Sequence, residues 1–371
     1  LNRNNTTTLQ FGDPLPKIIP SLDGLRCISI IIVLASHIQE TAGMSPFWVN
    51  FFYYLSFGKL SGAVGVQFFF IISGFLITYL LIREYLQTGT ISFKKFYIRR
   101  VLRIFPIYYL YLLILAVLTA LGYYKIAYSQ IAIAGVYMYN FFSGGAAQWL
   151  LGHSWSLCVE EQFYMIWPLL FFLLFVKGHK MVKIVFALLL IAPILNYLYV
   201  TWFDDAHWRI LFKFFLVPFL RHADHLLYGC LLAILISYKK INGKNHRFFN
   251  DYFVVLALGI VFCIGVFVAN VDLPFIKSAV SLLFLYIIIV AVFNERSATY
   301  AVLNNKVVSY IGKISYGVYI YQQFFLTPAG EAYSQVWWRA FPYNLLLIFV
   351  VAIPSFHFYE KPILAYKKRF N

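Results

Sequence analysis

An all-α, polytopic integral membrane protein of about ten transmembrane helices is the fold class this sequence predicts, and three observations predict it. Of 371 residues, 62% are hydrophobic and 12% charged, whereas soluble domains sit near half apolar and a quarter charged. The apolar residues fall in runs long enough to cross a bilayer, which takes about 20 residues. Lys and Arg gather at the ends of those runs, as cytoplasmic loops do. The basic excess, 30 against 14 acidic residues, has no polar domain to carry it towards nucleic acid, so that partner is set aside. Cys27, Cys158, Cys230 and Cys263 all lie in apolar segments and read as small buried hydrophobes, without disulfide or metal spacing.

The first span, SLDGLRCISIIIVLASHIQ (21–39), carries Asp23, Arg26 and His37. An ionisable group at the centre of such a helix costs about 2.5–3.5 kcal/mol, so it is retained for a function. Pro20-Ser21 opens the helix, with Ser21 as N-cap and Asp23 in the first turn. Arg26 and His37 stand about 11 residues apart, which puts both on one face and about 16 Å apart along the axis. A cation and a titratable base are therefore expected to line one channel.

Residues 41–58 read as an aromatic interfacial loop. The second span (62–83) holds Gly62, Gly65, Ser73 and Gly74, small residues that let helices approach closely. A cationic stretch from Arg83 to Arg103 precedes the third span (104–122). Residues 126–150 are apolar but broken by Tyr128, Asn140 and SGGAAQ, and are expected to be re-entrant or interfacial. Further spans are expected at 155–176, 184–201, 212–237, 251–270, 272–293, 307–327 and 343–360. This gives ten crossings with both termini cytoplasmic. It places 21 Lys and Arg inside, six outside and three within helices, as the positive-inside rule requires. Residues 1–371 are read as one domain, with a polar cytoplasmic segment (1–18) that lacks the core of a cleavable signal and a basic cytoplasmic segment (361–371). No inverted repeat of the transporter kind is evident.

Four groups of residues have chemical potential. His37 is either a packing histidine or a general base, since imidazole titrates near neutrality. Arg99, Arg100 and Arg103, in YIRRVLRIFPIYY, are either a lipid-headgroup patch or a site for a polyanionic cytoplasmic ligand, because guanidinium forks fit phosphates. Glu160 and Glu161, in HSWSLCVEEQFY, are either interfacial acids or a partner for His37 that steadies its protonated form. Ser156 lacks the GxSxG elbow of a nucleophile and reads as structural. Arg221, Asp224 and His225 form a fourth group, in which Arg221 and Asp224 read as an i, i+3 pair. His222 and His225 lack a further ligand set, so no metal is expected. Glu360, in FYEKP, is expected at a helix end near the inner surface.

In this order the blocks resemble the membrane-bound acyltransferase-3 family, bacterial proteins that O-acylate surface glycans, peptidoglycan and some small molecules. The resemblance runs from Ile19 to about Pro362. Arg26 and His37 resemble the family's Arg-x10-His signature, and GVQFFFIISGFLIT, RRVLRIFPIYY, WSLCVEEQFY, Arg221–Gly229 and FYEKP resemble further family blocks. The resemblance implies an O-acyltransferase of the bacterial inner membrane with His37 as base. It implies Glu160 and Glu161 as the acidic pair of the catalytic block. Arg26, Arg99, Arg100 and Arg103 are implied to engage the donor, acetyl-CoA or another acyl-CoA. The implied acceptor is a glycan or lipid-linked sugar, beside membrane lipids and glycan-assembly proteins. Two departures stand out. Gln322 occupies a position where relatives commonly carry His, and no esterase-like domain follows the last span, so onward transfer is expected to need another protein. The rival readings are a proton-coupled transporter using His37, Glu160 and Arg221, and a non-catalytic subunit of a polysaccharide-assembly complex.

Overall fold

A computed structural model describes residues 19–142, 148–177, 181–202, 217–238, 250–268, 273–330, 336–366 and 369. The segment 1–18, read as a polar cytoplasmic terminus, lies outside the described residues, as does most of the basic segment after Tyr366.

Helix α1 (Ser21–Ile38) begins one residue earlier than expected. Ser21 is therefore inside the helix rather than its cap, and its hydroxyl instead accepts a hydrogen bond from Asn304 (2.9 Å). A short aromatic helix α2 (Pro46–Leu55) leads to α3 (Ser61–Thr88). Buried side chains project from α3 on both sides. Phe70, Ile77 and Leu81 enter one hydrophobic cluster, whereas Phe68, Ile71, Ile72 and Phe75 enter another. A helix apolar all round belongs in the interior, and α3 is the central post of the bundle.

Helix α4 (Phe93–Ala120) is capped by Ser92. Next come three short helices, α5 (Tyr128–Gly135), α6 (Tyr139–Phe142) and α7 (Gln148–Gly152), which lead into α8 (Ser154–Phe171), extended by a π-turn at 172–177. The described residues of the segment 126–150 thus contain no helix long enough to cross. Its backbone is satisfied from α4: Tyr108 and Tyr109 donate to the carbonyls of Ala134 (2.9 Å) and Gly135 (2.7 Å), and Tyr111 donates to that of Leu150 (2.7 Å). Irregular backbone at membrane depth is tolerated only when protein supplies such partners.

The remaining helices are α9 (Met181–Trp202), α10 (Val217–Ser237), α11 (Asp251–Phe267), α12 (Pro274–Phe293), α13 (Ala298–Leu303), α14 (Lys306–Phe325), α15 (Tyr343–Pro354), continued by a π-turn at 355–360, and α16 (Lys361–Tyr366). Six helices are long and apolar enough to span a bilayer, and three shorter apolar helices accompany them among the described residues. The protein is a multi-pass helical membrane protein.

The small residues of α3 lie where backbones touch. A Cβ on Gly74 would collide with the Leu226 carbonyl of α10, one on Gly229 with the Ile71 carbonyl of α3, and one on Gly65 with Val33 and the Ser29 carbonyl of α1. Loops gather over the C-terminal end of α1. Ala329 donates to the Glu40 carbonyl (2.8 Å) and Phe341 to that of Ala42 (2.9 Å). Arg339, 2% exposed, fills this roof, bonded to Tyr124 and stacked on Tyr124, Phe324 and Trp338.

Candidate active site

Two features occupy the heart of the bundle: a cation-lined cavity at one depth and a pair of clamped histidines at another. The cavity, of about 110 Å³, lies between α1, α3, α4, α8 and α14. Val66, Phe69, Phe70, Ser73 and Leu76 of α3 line it. That spacing is one helix face, and it makes the slot about 15 Å long. Arg26, Arg100 and Arg103 stand with Leu76 at one end, while Ser156 and Tyr319 close the other. A second cavity of about 300 Å³ shares Arg26, Leu76, Arg100 and Arg103, and adds Asp23, Lys313, Phe356 and Leu364. The two spaces meet across the same arginines.

Arg26 bonds Asp23 one turn away (2.9 Å), which holds the guanidinium at the junction of the two cavities. Arg100 lies over the rings of Phe96 and Tyr164. Glu360 is 4% exposed, and both its carboxylate oxygens lack hydrogen-bond partners among the described residues. It lies in the π-turn within electrostatic reach of Arg103. Glu360 therefore brings a buried carboxyl group up to the cationic cluster within a continuing helical segment, rather than marking a helix end.

Arg99 goes elsewhere. Its guanidinium pairs with Glu84 at 2.9 Å, and Glu84 also accepts the Ser92 amide (2.8 Å). Adjacent residues on a helix point about 100° apart, so Arg99 cannot share the cavity face that Arg100 takes. The expected cluster of three is thus two arginines of α4 joined by Arg26 of α1.

His37 lies beyond the Ser156–Tyr319 end. Its Nδ1 meets Gln322 Oε1 at 3.2 Å, and its ring packs edge-on to Trp149 (5.4 Å). Glu160 and Glu161 do not orient it, contrary to the sequence expectation. Glu160 lines the cavity and accepts a hydrogen bond from Tyr164. Glu161, 8% exposed, faces the tyrosines Tyr109, Tyr137 and Tyr316. The turn of α8 separates the two acids, and each finds its surroundings more than one turn from Ser156. Of the single channel expected to join Arg26 to His37, the cavity lined by Arg26 reaches Ser156 and Tyr319, and His37 is not among its described lining residues.

A second histidine, missed in the sequence, stands with the first. His153 is 2% exposed. Gln323 Oε1 accepts from both its backbone amide (3.0 Å) and its Nδ1 (2.5 Å). Because that oxygen can only accept, Nδ1 carries the proton and Nε2 is left as the bare nitrogen. Trp149 joins the two imidazoles, since its indole donates to the Gln323 carbonyl (2.9 Å) while its ring meets His37. The signal was present as Gln322-Gln323, two consecutive amides within an apolar helix. Gln322 does not leave the site without a second histidine; Gln323 clamps one that comes from α8.

The fourth group is separate. Asp224 and His225 are buried on α10, and His225 meets Ser281 (3.0 Å), which also accepts from Gln67 (2.6 Å). His222 packs on Trp155, and the side chain of Arg221 lies outside the described residues, so its expected pairing with Asp224 does too. No group of three or more potential metal ligands occurs among the described residues.

Apolar helices around an interior cavity on which buried ionisable side chains converge define a class: multi-pass membrane proteins with a reaction or transport site inside the bundle. Within that class the chain belongs to the acyltransferase-3 family, whose acyltransferase domain matches residues 19–359. Over 372 residues it is 29% identical to the peptidoglycan O-acetyltransferase OatA of Listeria monocytogenes, covering 94% of this chain and 56% of the relative. It is 27% identical to the "Putative peptidoglycan O-acetyltransferase YrhL" of Bacillus subtilis, covering 94% and 55%. A "Putative O-acetyltransferase" of Staphylococcus aureus is 26% identical, with 93% and 57% covered. The chain thus spans little more than half the length of these curated relatives. No solved structure matches it.

Proposed function

We propose that this chain is a membrane O-acyltransferase that passes an acyl group, acetyl by the names of its relatives, from cytoplasmic acyl-CoA to a hydroxyl of a cell-surface or lipid-linked glycan. The observation that carries the reading is a cation-lined slot whose far end stops at the layer beneath a clamped imidazole. Arg26, Arg100, Arg103 and Lys313 would hold the phosphates of the coenzyme, where paired guanidinium forks suit phosphate oxygens. The flexible arm would lie along the α3 face, whose length of about 15 Å suits an extended arm and leaves the thioester at Ser156 and Tyr319. His37 would take the proton of the acceptor hydroxyl as general base. Its bond to Gln322 would fix the ring so that Nε2 faces the acceptor.

The orientation belongs to the same proposal: ten crossings in the bacterial cytoplasmic membrane, both termini inside, and the arginine-lined cavities opening inward. The cation distribution and the helices found in each expected span support it. The decisive experiment adds radiolabelled acetyl-CoA to inverted membrane vesicles. Label appearing on enclosed glycan supports the reading, whereas proton-driven solute uptake without acetyl transfer would replace it with the transporter. Mass profiling of envelope glycans from a deletion strain identifies the acceptor by the acyl increment that disappears.

A further inference from the structure

Three contacts at hydrogen-bond distance, shared by two hydroxyl protons, tie the end of the cavity to the histidine pair. Ser156 Oγ and Tyr319 Oη lie 2.6 Å apart, and both reach the His153 carbonyl, at 3.0 and 3.3 Å. Ser156 is 3% and Tyr319 7% exposed, so bulk water does not compete for them. Tyr319 also stands one turn before Gln322 and Gln323 on α14, and that helix therefore carries the hydroxyl and both histidine clamps on neighbouring positions. These two hydroxyls form the boundary between the space that ends the slot and the space that holds the imidazoles.

We propose that Ser156 and Tyr319 are the oxyanion donors of the acyl transfer, an inference that rests on the acyl-CoA reading above. The geometry at a boundary favours this role. A thioester carbonyl carbon stopped at the layer is open to attack from the His37 side, and its sulfur lies on the cavity side. The acceptor oxygen bonds to the carbonyl carbon as its proton passes to His37. The carbonyl π pair moves onto oxygen, and the resulting oxyanion lies in the plane of the two hydroxyls. Each hydroxyl turns from its resting acceptor to the oxyanion by rotation about one bond, with no backbone movement. When the carbonyl re-forms, the carbon–sulfur bond breaks and coenzyme A leaves down the slot as thiolate, which solvent protonates at the slot's open end while His37 gives its proton to solvent on the acceptor side. The products are an ester and free coenzyme A, with nothing oxidised or reduced. Ser156 thus supplies a hydrogen bond rather than a nucleophile, which accounts for a reactive residue type without an elbow or an adjacent base.

The test measures free thiol released from acetyl-CoA by inverted vesicles containing wild type, Tyr319→Phe or Ser156→Ala. Each substitution removes one hydroxyl and keeps most of the packing, and melting temperature in detergent verifies folding. Loss of one preorganised donor lowers kcat about 10²–10³-fold. The expected result is a fall of that size in both variants, with the KM for acetyl-CoA within about twofold of wild type. A kcat within about threefold of wild type in either folded variant, or a raised KM with kcat unchanged, overturns the assignment. If Tyr319→Phe fails to fold, Ser156→Ala alone decides. Should wild type release no thiol, the acyl-CoA reading falls and this inference with it; turnover by wild type and variants alike removes only the inference.

Discussion

His37 and Gln322 show how one side chain is prepared for chemistry by another. The imidazole is half-buried, with Nδ1 at 3.2 Å from an amide oxygen on a helix far away in sequence. His37→Ala removes the proposed base, and a general base contributes about 10²–10⁴-fold; acetyl transfer from acetyl-CoA is expected to fall by that much while donor KM is kept. Gln322→Leu leaves the imidazole present but unanchored, so an intermediate loss is expected in the same assay. The arginines divide more sharply. Arg103→Ala is expected to raise the donor KM about tenfold or more, since a hydrogen bond to a charged group is worth about 1.5–3 kcal/mol. Arg99→Ala, which removes the pair with Glu84 outside the cavity lining, is expected to leave KM unchanged. Equal KM effects at the two positions would remove the division between cavity-lining and helix-tying arginines.

Among the elements, α3 decides how tightly the bundle closes. Its Gly74 and the Gly229 of α10 each sit against the other helix's backbone, an approach that small residues permit in a membrane where helix association depends on packing. Gly74→Val would push the two helices apart, and the slot on the neighbouring face of α3 would lose its shape. Reduced yield and a lowered melting temperature in detergent are expected, and wild-type stability would show that the contact is not needed. The short helices α5 to α7 depend on α4 in a different way. Tyr108→Phe and Tyr111→Phe each leave a carbonyl without its donor, at a cost of about 1–2 kcal/mol where no water replaces it. Tyr111 also packs on His153, so its variant is expected to lose activity as well as stability.

For the whole molecule the question is which way the bundle faces. Under the proposed orientation, Lys125→Cys in a cysteine-free background reacts with an impermeant thiol reagent from outside intact cells, and Lys94→Cys reacts only in inverted vesicles. The reverse pattern would place the arginine-lined cavities outside, where no acyl-CoA is supplied. The roof over His37, held by pairings of Glu40 with Ala329 and Ala42 with Phe341, then faces the acceptor. In the proposed scheme the chemistry would be spread along the bundle normal, with phosphates at one depth, thioester at the next and hydroxyl acceptor above.

Length and hydropathy by themselves determined that the protein is helical and crosses a membrane, because a bilayer admits little else for apolar runs of this length. Charged residues inside or bordering those runs marked Arg26, His37, Arg99, Arg100, Arg103, Glu160 and Glu161, since the cost of burying such groups makes each conspicuous. Small residues on α3 likewise announced close packing. Only the tertiary structure decided which of these residues meet. Periodicity along one helix set the 16 Å between Arg26 and His37, on the order the helical rise gives, but could not reveal the hydroxyl layer that α8 and α14 insert between them. It could not separate Arg99 from Arg100 either, because the Glu84 that claims Arg99 comes from another helix. His153 precedes its span and the glutamines carry no formal charge, so nothing in the linear pattern paired them with His37. Their roles exist only where three helices distant in sequence bring their hydrogen-bonding groups into contact.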